Sequence, residues 1–146
     1  MGHAYLDWLE TQADRELARQ RAQVDTAKLL ATLAVGVAAT LVATALQVGR
    51  AASAWDKVAV GMLGGAFGAV ILVVLADRIS QVNHLNVVSQ SVIEGWSQTQ
   101  LATKLQALTI AAVDSNEAPV RAVRRLAVIQ VLISAASAGA AIVSLV

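Results

Sequence analysis

The sequence predicts an all-α integral membrane protein: three transmembrane helices, an N-terminal amphipathic helix, and a helical insert between the second and third spans. Three observations predict it. The stretch from Val58 to Ala76, VAVGMLGGAFGAVILVVLA, contains no charge, hydroxyl or amide side chain. As a helix rising ~1.5 Å per residue it covers roughly 28 Å, close to the hydrocarbon thickness of a bilayer. The composition is 57% hydrophobic and only 14% charged, against ~25% charged for an average soluble domain. Two further apolar runs, residues 29–48 and 126–146, flank the first.

At the N-terminus, residues 4–27 carry mixed charge and helix formers, with no Pro or Gly. Leu6, Leu9, Ala13, Leu17 and Val24 recur at three-, four- or seven-residue steps and form a narrow apolar stripe. Glu16 with Arg19, and Arg21 with Asp25, are spaced to pair on a helix surface. Nothing breaks the pattern before the first apolar run, so one continuous helix is expected to lead into the membrane. As an arm this segment serves oligomerisation or regulation; as a surface helix it simply lies solvated against the bilayer. Asp7, Glu10, Asp14 and Glu16 stand where a signal peptide needs a basic region and an apolar run.

The first span, residues 29–48, has Thr32, Gly36, Thr40 and Thr44 at four-residue steps. Such a row of small residues lets helices cross closely, and each threonine hydroxyl can bond to its own backbone. We assign Gly36, Thr40 and Thr44 to helix packing, with lining of a water path as the sharper alternative. A short loop from Gly49 to Lys57 makes spans one and two antiparallel neighbours. Trp55 within it suits the headgroup level, where an indole is apolar on its face and polar at its nitrogen.

The second span, residues 58–76, holds two overlapping GxxxG pairs, Gly61 with Gly65 and Gly64 with Gly68. That spacing clears side chains from one face, so another helix can approach, from this chain or another copy.

The insert, residues 77–125, stays helical in pattern. Ile79, Val82, Asn86, Val92, Ile93 and Trp96 supply a loose stripe, with Gly95 an expected interruption. Leu101, Leu105, Leu108 and Ala112 then repeat at a/d-like spacing. That stripe needs the N-terminal helix, the insert's own second half, or another subunit. The run from Asp114 to Pro119 reads as a break and a helix start, with Asn116 as cap and Pro119 in the tolerated first turn.

The third span, residues 126–146, carries Gln130, Ser134, Ser137 and Ser144 on one face, with Ala141 completing the series. Polar residues within a span face protein or water rather than lipid. An uncharged Gln/Ser stripe suits a weakly selective water-filled pore, and equally a hydrogen-bonded helix interface.

Basic residues set the orientation. Arg15, Arg19, Arg21 and Lys28 precede span one, only Arg50 and Lys57 lie in the first loop, and Arg78, Lys104, Arg121, Arg124 and Arg125 lie between spans two and three. Lysine and arginine concentrate on the cytoplasmic side. This predicts an inner-membrane, multi-pass protein with a cytoplasmic N-terminus (residues 1–28), a cytoplasmic helical insert and an external C-terminus. Arg121, Arg124 and Arg125 anchor the third span; they can also be read as an anionic-lipid site.

The residues point to a non-enzyme. No carboxylate lies within a span, which argues against a proton relay or coupled-ion site. His3 and His84 have no acidic or cysteine cluster to complete a metal set, and cysteine is absent. The glycines of GMLGGAFG lack the lysine of a phosphate loop. Ser134 and Ser137 have no base nearby in sequence. No cofactor is expected, and a net charge of +1 implies no nucleic-acid partner.

The layout as a whole resembles a known group. A mixed-charge helix enters a first span (YLDWLETQADRELARQRAQVDTAKLLATLAVGVAATLVATALQV), a short loop and second span follow, and a helical insert leads through Arg121, Arg124 and Arg125 into the last span. This arrangement, over most of the chain, is similar to the small transmembrane effectors of bacterial anti-phage defence, the SLATT-type and Pycsar-type proteins. The resemblance implies a homo-oligomeric effector that disrupts or permeabilises the inner membrane once a partner sensor detects infection; it carries over no catalytic residues. Two departures stand out. The chain has no evident cyclic-nucleotide-binding domain, so a nucleotide second messenger would act upstream of it, and the insert has no strong motif of its own. The competing classes are a phage-holin-like pore former, though the charged tail common in holins is missing, and a non-conducting scaffolding subunit. A transporter would need a charged or broken helix at its substrate site.

Overall fold

The structure is a computed structural model that describes residues 2–48, 53–78 and 84–146, with side chains from residue 11 in the first segment and 86 in the last. Arg50, Ile79 and Val82, and the side chains of His3, Leu6, Leu9 and His84, lie outside the described residues. Four helices make up the described chain: α1 (Gly2–Gln47), α2 (Ala54–Leu75), α3 (His84–Glu94) and α4 (Gln98–Leu145), with no strand among the described residues. Three of them, α1, α2 and α4, contain stretches long and apolar enough to cross a membrane.

The helix ends follow local chemistry. α1 runs unbroken through the N-terminal segment and the first apolar run, as the absence of Pro and Gly in residues 4–27 predicts. α2 starts earlier than expected. Ser53 caps it: Asp56 N–H donates to Ser53 Oγ at 3.1 Å and Ser53 N–H donates to Asp56 Oδ2 at 2.6 Å. This reciprocal box satisfies two orphan donors. Trp55, Asp56 and Lys57 therefore form the first turn of α2 rather than the end of a loop. α3 ends at Gly95, whose φ of 67° is the left-handed conformation only glycine adopts cheaply. Trp96 N–H donates back to Ser91 O at 2.9 Å, the bond that closes a Schellman cap. Ser97 then starts α4 with a second box, Gln100 N–H to Ser97 Oγ at 3.3 Å and Ser97 N–H to Gln100 Oε1 at 2.9 Å.

The expected break at 114–119 does not occur. α4 is one helix of 48 residues with Pro119 in its interior. Proline removes one backbone bond and costs ~3 kcal/mol in an isolated helix. Packing overrides that local penalty. Thr109, Ala112, Asn116 and Val120 form a buried row at three- and four-residue steps across the proline. Asn116, expected as an exposed cap, is fully buried in mid-helix. The second half of the insert and the third span therefore belong to one continuous helix.

The chain divides into two compact units, Met1–Ala22 with Arg78–Val120, and Gln23–Asp77 with Arg121–Val146. In the first, a hydrogen bond ties α1 to the α4 segment that follows the Leu101/Leu105/Leu108/Ala112 stripe. Gln20, buried between the half-buried Leu17 and the buried Val24 along α1, donates from Nε2 to Val113 O at 3.2 Å.

In the second unit three helices meet. α1 contributes Val24, Ala27, Ala31, Val35, Ala38 and Val42, while Ala59, Ala66, Ala69 and Val73 come from α2. Val42, Ala59, Ala140 and Ala141 form one cluster, with Leu41, Ala45 and Leu63 against it. Every buried apolar residue described is Ala or Val, whereas Leu29, Leu30, Leu33, Phe67, Ile71 and Leu132 are at least half exposed. A water-soluble bundle buries its leucines and isoleucines. Small residues inside and large ones outside is the distribution of helices packed in lipid, where close van der Waals approach replaces the hydrophobic drive.

Candidate functional site

The polar row on α4 is the site the fold builds with most care. Val123, Ala127, Gln130, Ser134, Ser137 and Ala141 follow one another at three- and four-residue steps, and all are buried. That spacing keeps one face turned toward α1 and α2 along the unit. Gln130 and Ser137 are 0% exposed and Ser134 is 2% exposed.

Each polar group has been given a partner except one. Ser137 Oγ donates to the carbonyl of Ala59 on α2 at 2.8 Å, across 78 residues of sequence. Gln130 Nε2 donates to Ser134 Oγ at 2.9 Å. Ser144, half-buried, donates to its own backbone at Ala141 O, 2.7 Å. Gln130 Oε1 is buried with no hydrogen-bond partner. The serines thus bond within the chain, and in this row the glutamine oxygen alone is left over. Gln20 Oε1 in the other unit is orphaned in the same way.

Beside the row, α1 and α4 border an outward groove of about 400 Å³. Leu30, Leu33, Val37 and Val131 are among its walls and Ser134 is part of its lining. The groove is almost wholly apolar, so it suits an acyl chain or a helix rather than water.

One end of this unit is clamped by an ion pair that sequence reasoning missed. Lys28 Nζ donates to Asp77 Oδ2, and both side chains are about one-third exposed or less. The signal was available: Lys28 opens span one, Asp77 closes span two, and antiparallel neighbours bring those ends to one level. Partial burial makes the pair stronger than a solvated one, because fewer waters compete for either charge. On the first unit's surface, Glu16 and Arg19 form the expected i,i+3 pair at 3.6 Å.

The other expected packing residues lie outward. Gly61, Gly64 and Gly68 have open space where a side chain would stand; at Gly65 the nearest atom is Ile133 Cγ2, 3.9 Å from the position of a Cβ. The glycine face of α2 therefore has almost no neighbour within the chain. Gly36 is equally open, and the hydroxyls of Thr32, Thr40 and Thr44 donate to Lys28 O, Gly36 O and Thr40 O, each at 2.9 Å. Those threonines are self-satisfied, which lets their face meet lipid without cost. Trp55 is half exposed. Arg121, Arg124 and Arg125 are exposed together on one face of α4.

Among the described residues no three His, Asp or Glu side chains gather as metal ligands would. Ser134 and Ser137 bond to an amide and to a backbone carbonyl, neither of which is a base. No family model, curated protein or solved structure matches the chain.

Proposed function

We propose that this chain is the membrane-damaging effector of a bacterial antiviral system. It sits in the inner membrane as a homo-oligomer, with the N-terminus and the 77–125 segment in the cytoplasm and the C-terminus outside. It permeabilises the bilayer when a partner sensor, or a nucleotide second messenger upstream of that sensor, signals infection. The layout resemblance to SLATT-type and Pycsar-type effectors motivates the class.

The observation that carries the reading is the buried row Gln130, Ser134 and Ser137 in a unit otherwise sealed by Ala and Val. An unsatisfied buried amide oxygen costs about 1–3 kcal/mol. At Gln130 this cost is present in the closed bundle. Turning α4 so that the row meets copies of itself and water removes the cost and opens a polar path. Such a switch must be conditional, since a standing leak would kill the host. The unit formed by Met1–Ala22 and Arg78–Val120 is the available control surface. The same burial favours a second reading, a non-conducting structural subunit whose row only holds α4 against α2.

Changing Gln130, Ser134 and Ser137 to Leu, Ala and Ala together separates the two. The expected result is normal insertion, with dye leakage from activated cells falling roughly tenfold or more as the polar row is lost. Undiminished leakage at normal expression would show that this face neither lines a pore nor builds one. Orientation has its own check: a C-terminal reporter is expected to be active outside the cytoplasm, and activity only inside refutes the topology.

A further inference from the structure

We infer that the arginine face of α4 is a binding site for the phosphate of an anionic phospholipid. Arg121, Arg124 and Arg125 stand at i, i+3 and i+4, so their guanidinium groups share one side of the helix. With Val128 and Ile129 they line a single hollow of about 490 Å³. Its two halves differ in chemistry. The arginine half lies just before the third span, and Val128 and Ile129, 60% and 50% exposed, are one turn into it.

Arg124 and Arg125, adjacent like charges, repel unless an anion sits beside them. They pair with no carboxylate among the described residues. Guanidinium groups grip phosphate through two parallel N–H bonds, a geometry lysine cannot offer. The apolar half gives the ligand its second part. A free phosphate would leave Val128 and Ile129 uncovered, whereas a phospholipid places its headgroup on the arginines and its acyl chain along those two side chains. The site thus reads a lipid, not a soluble anion.

This inference rests on the membrane placement of α4 in the proposed function, but not on leakage or on defence. The test is native mass spectrometry of the purified full chain in neutral detergent, titrated with dioleoyl phosphatidylglycerol or dioleoyl phosphatidylcholine. Phosphatidylglycerol is expected to bind roughly 150-fold tighter than phosphatidylcholine, as about 1 kcal/mol for each of the three basic residues implies. Replacing all three arginines with Gln should erase the preference, and Arg124→Gln alone should weaken it roughly fivefold should the triple variant fail to fold. The triple Arg→Lys variant keeps the charge but loses the paired N–H geometry, and should bind phosphatidylglycerol measurably more weakly than the arginine protein. Lys104→Gln is the control and should change nothing. Full retention by the lysine variant would reduce the cluster to a charge anchor and overturn the site, as would an unchanged preference in the glutamine variants. Displacement of the lipid by millimolar inorganic phosphate would overturn the lipid assignment. None of these readings depends on membrane damage, so a failed site and a failed effector role are told apart.

Discussion

Ser137→Leu should cost the three-span unit several kcal/mol and largely unfold it. Ser137 is 0% exposed, and its hydroxyl donates to Ala59 O at 2.8 Å. The substitution removes that inter-helix bond, worth on the order of 0.6–1.7 kcal/mol in a membrane protein. It also forces a four-carbon branched side chain into a seam lined by alanine, and overpacking of that kind costs about 1–3 kcal/mol or more. The two terms add because both act at the α2–α4 contact. Ser137→Ala separates them: it loses only the bond and should cost about 1 kcal/mol. The measurement is thermal unfolding in detergent followed by helical circular dichroism. A leucine variant melting at the wild-type temperature would mean that α2 and α4 do not meet at Ala59.

Gly64→Leu should act in the opposite way, leaving the monomer intact and abolishing assembly. Among the described residues no atom of another helix lies within 4 Å of where its Cβ would stand, so a substituted side chain starts out in open space. If copies assemble through the glycine face, the added side chain holds the backbones apart and removes the close packing on which such contacts depend. A loss of roughly 2–3 kcal/mol per interface, some 30- to 150-fold in the association constant, is the expected scale for overpacking a tight contact. Gly65→Leu is a weaker test of assembly, because an added Cβ would stand 3.9 Å from Ile133 Cγ2 and a longer side chain there reaches toward the monomer's own α4 as well. Light scattering of the detergent-solubilised protein reads the mass, and the thermal melt reads the fold. An unchanged mass for Gly64→Leu would assign the glycine face to lipid.

The corrections to the sequence reading have one physical origin. Asn116 and Pro119 look like a helix start because each, taken locally, disfavours a helix interior. The structure buries Asn116 within α4 because a continuous row from Thr109 to Val120 repays more than the proline removes. Gln20 lies between Leu17 and Val24 on the face of the apolar stripe and, though polar, is buried and bonded to Val113. The glycine pairs, the strongest motif in the chain, mark a face that its own helices leave bare.

The amino-acid sequence determined what depends on neighbours a few residues away. The helices and their apolar stretches follow from hydropathy and the absence of breakers, and the interruption at Gly95 from its backbone freedom. The polar face of the third span follows from helical period alone. Only the tertiary structure decided which faces turn inward, that Lys28 closes on Asp77, that Ser137 finds Ala59, and that Gln130 keeps one oxygen unpaired. Those outcomes join residues 49 to 78 positions apart, or leave one unjoined. They are set by how closely small side chains let backbones approach, a property of facing surfaces that no local period encodes.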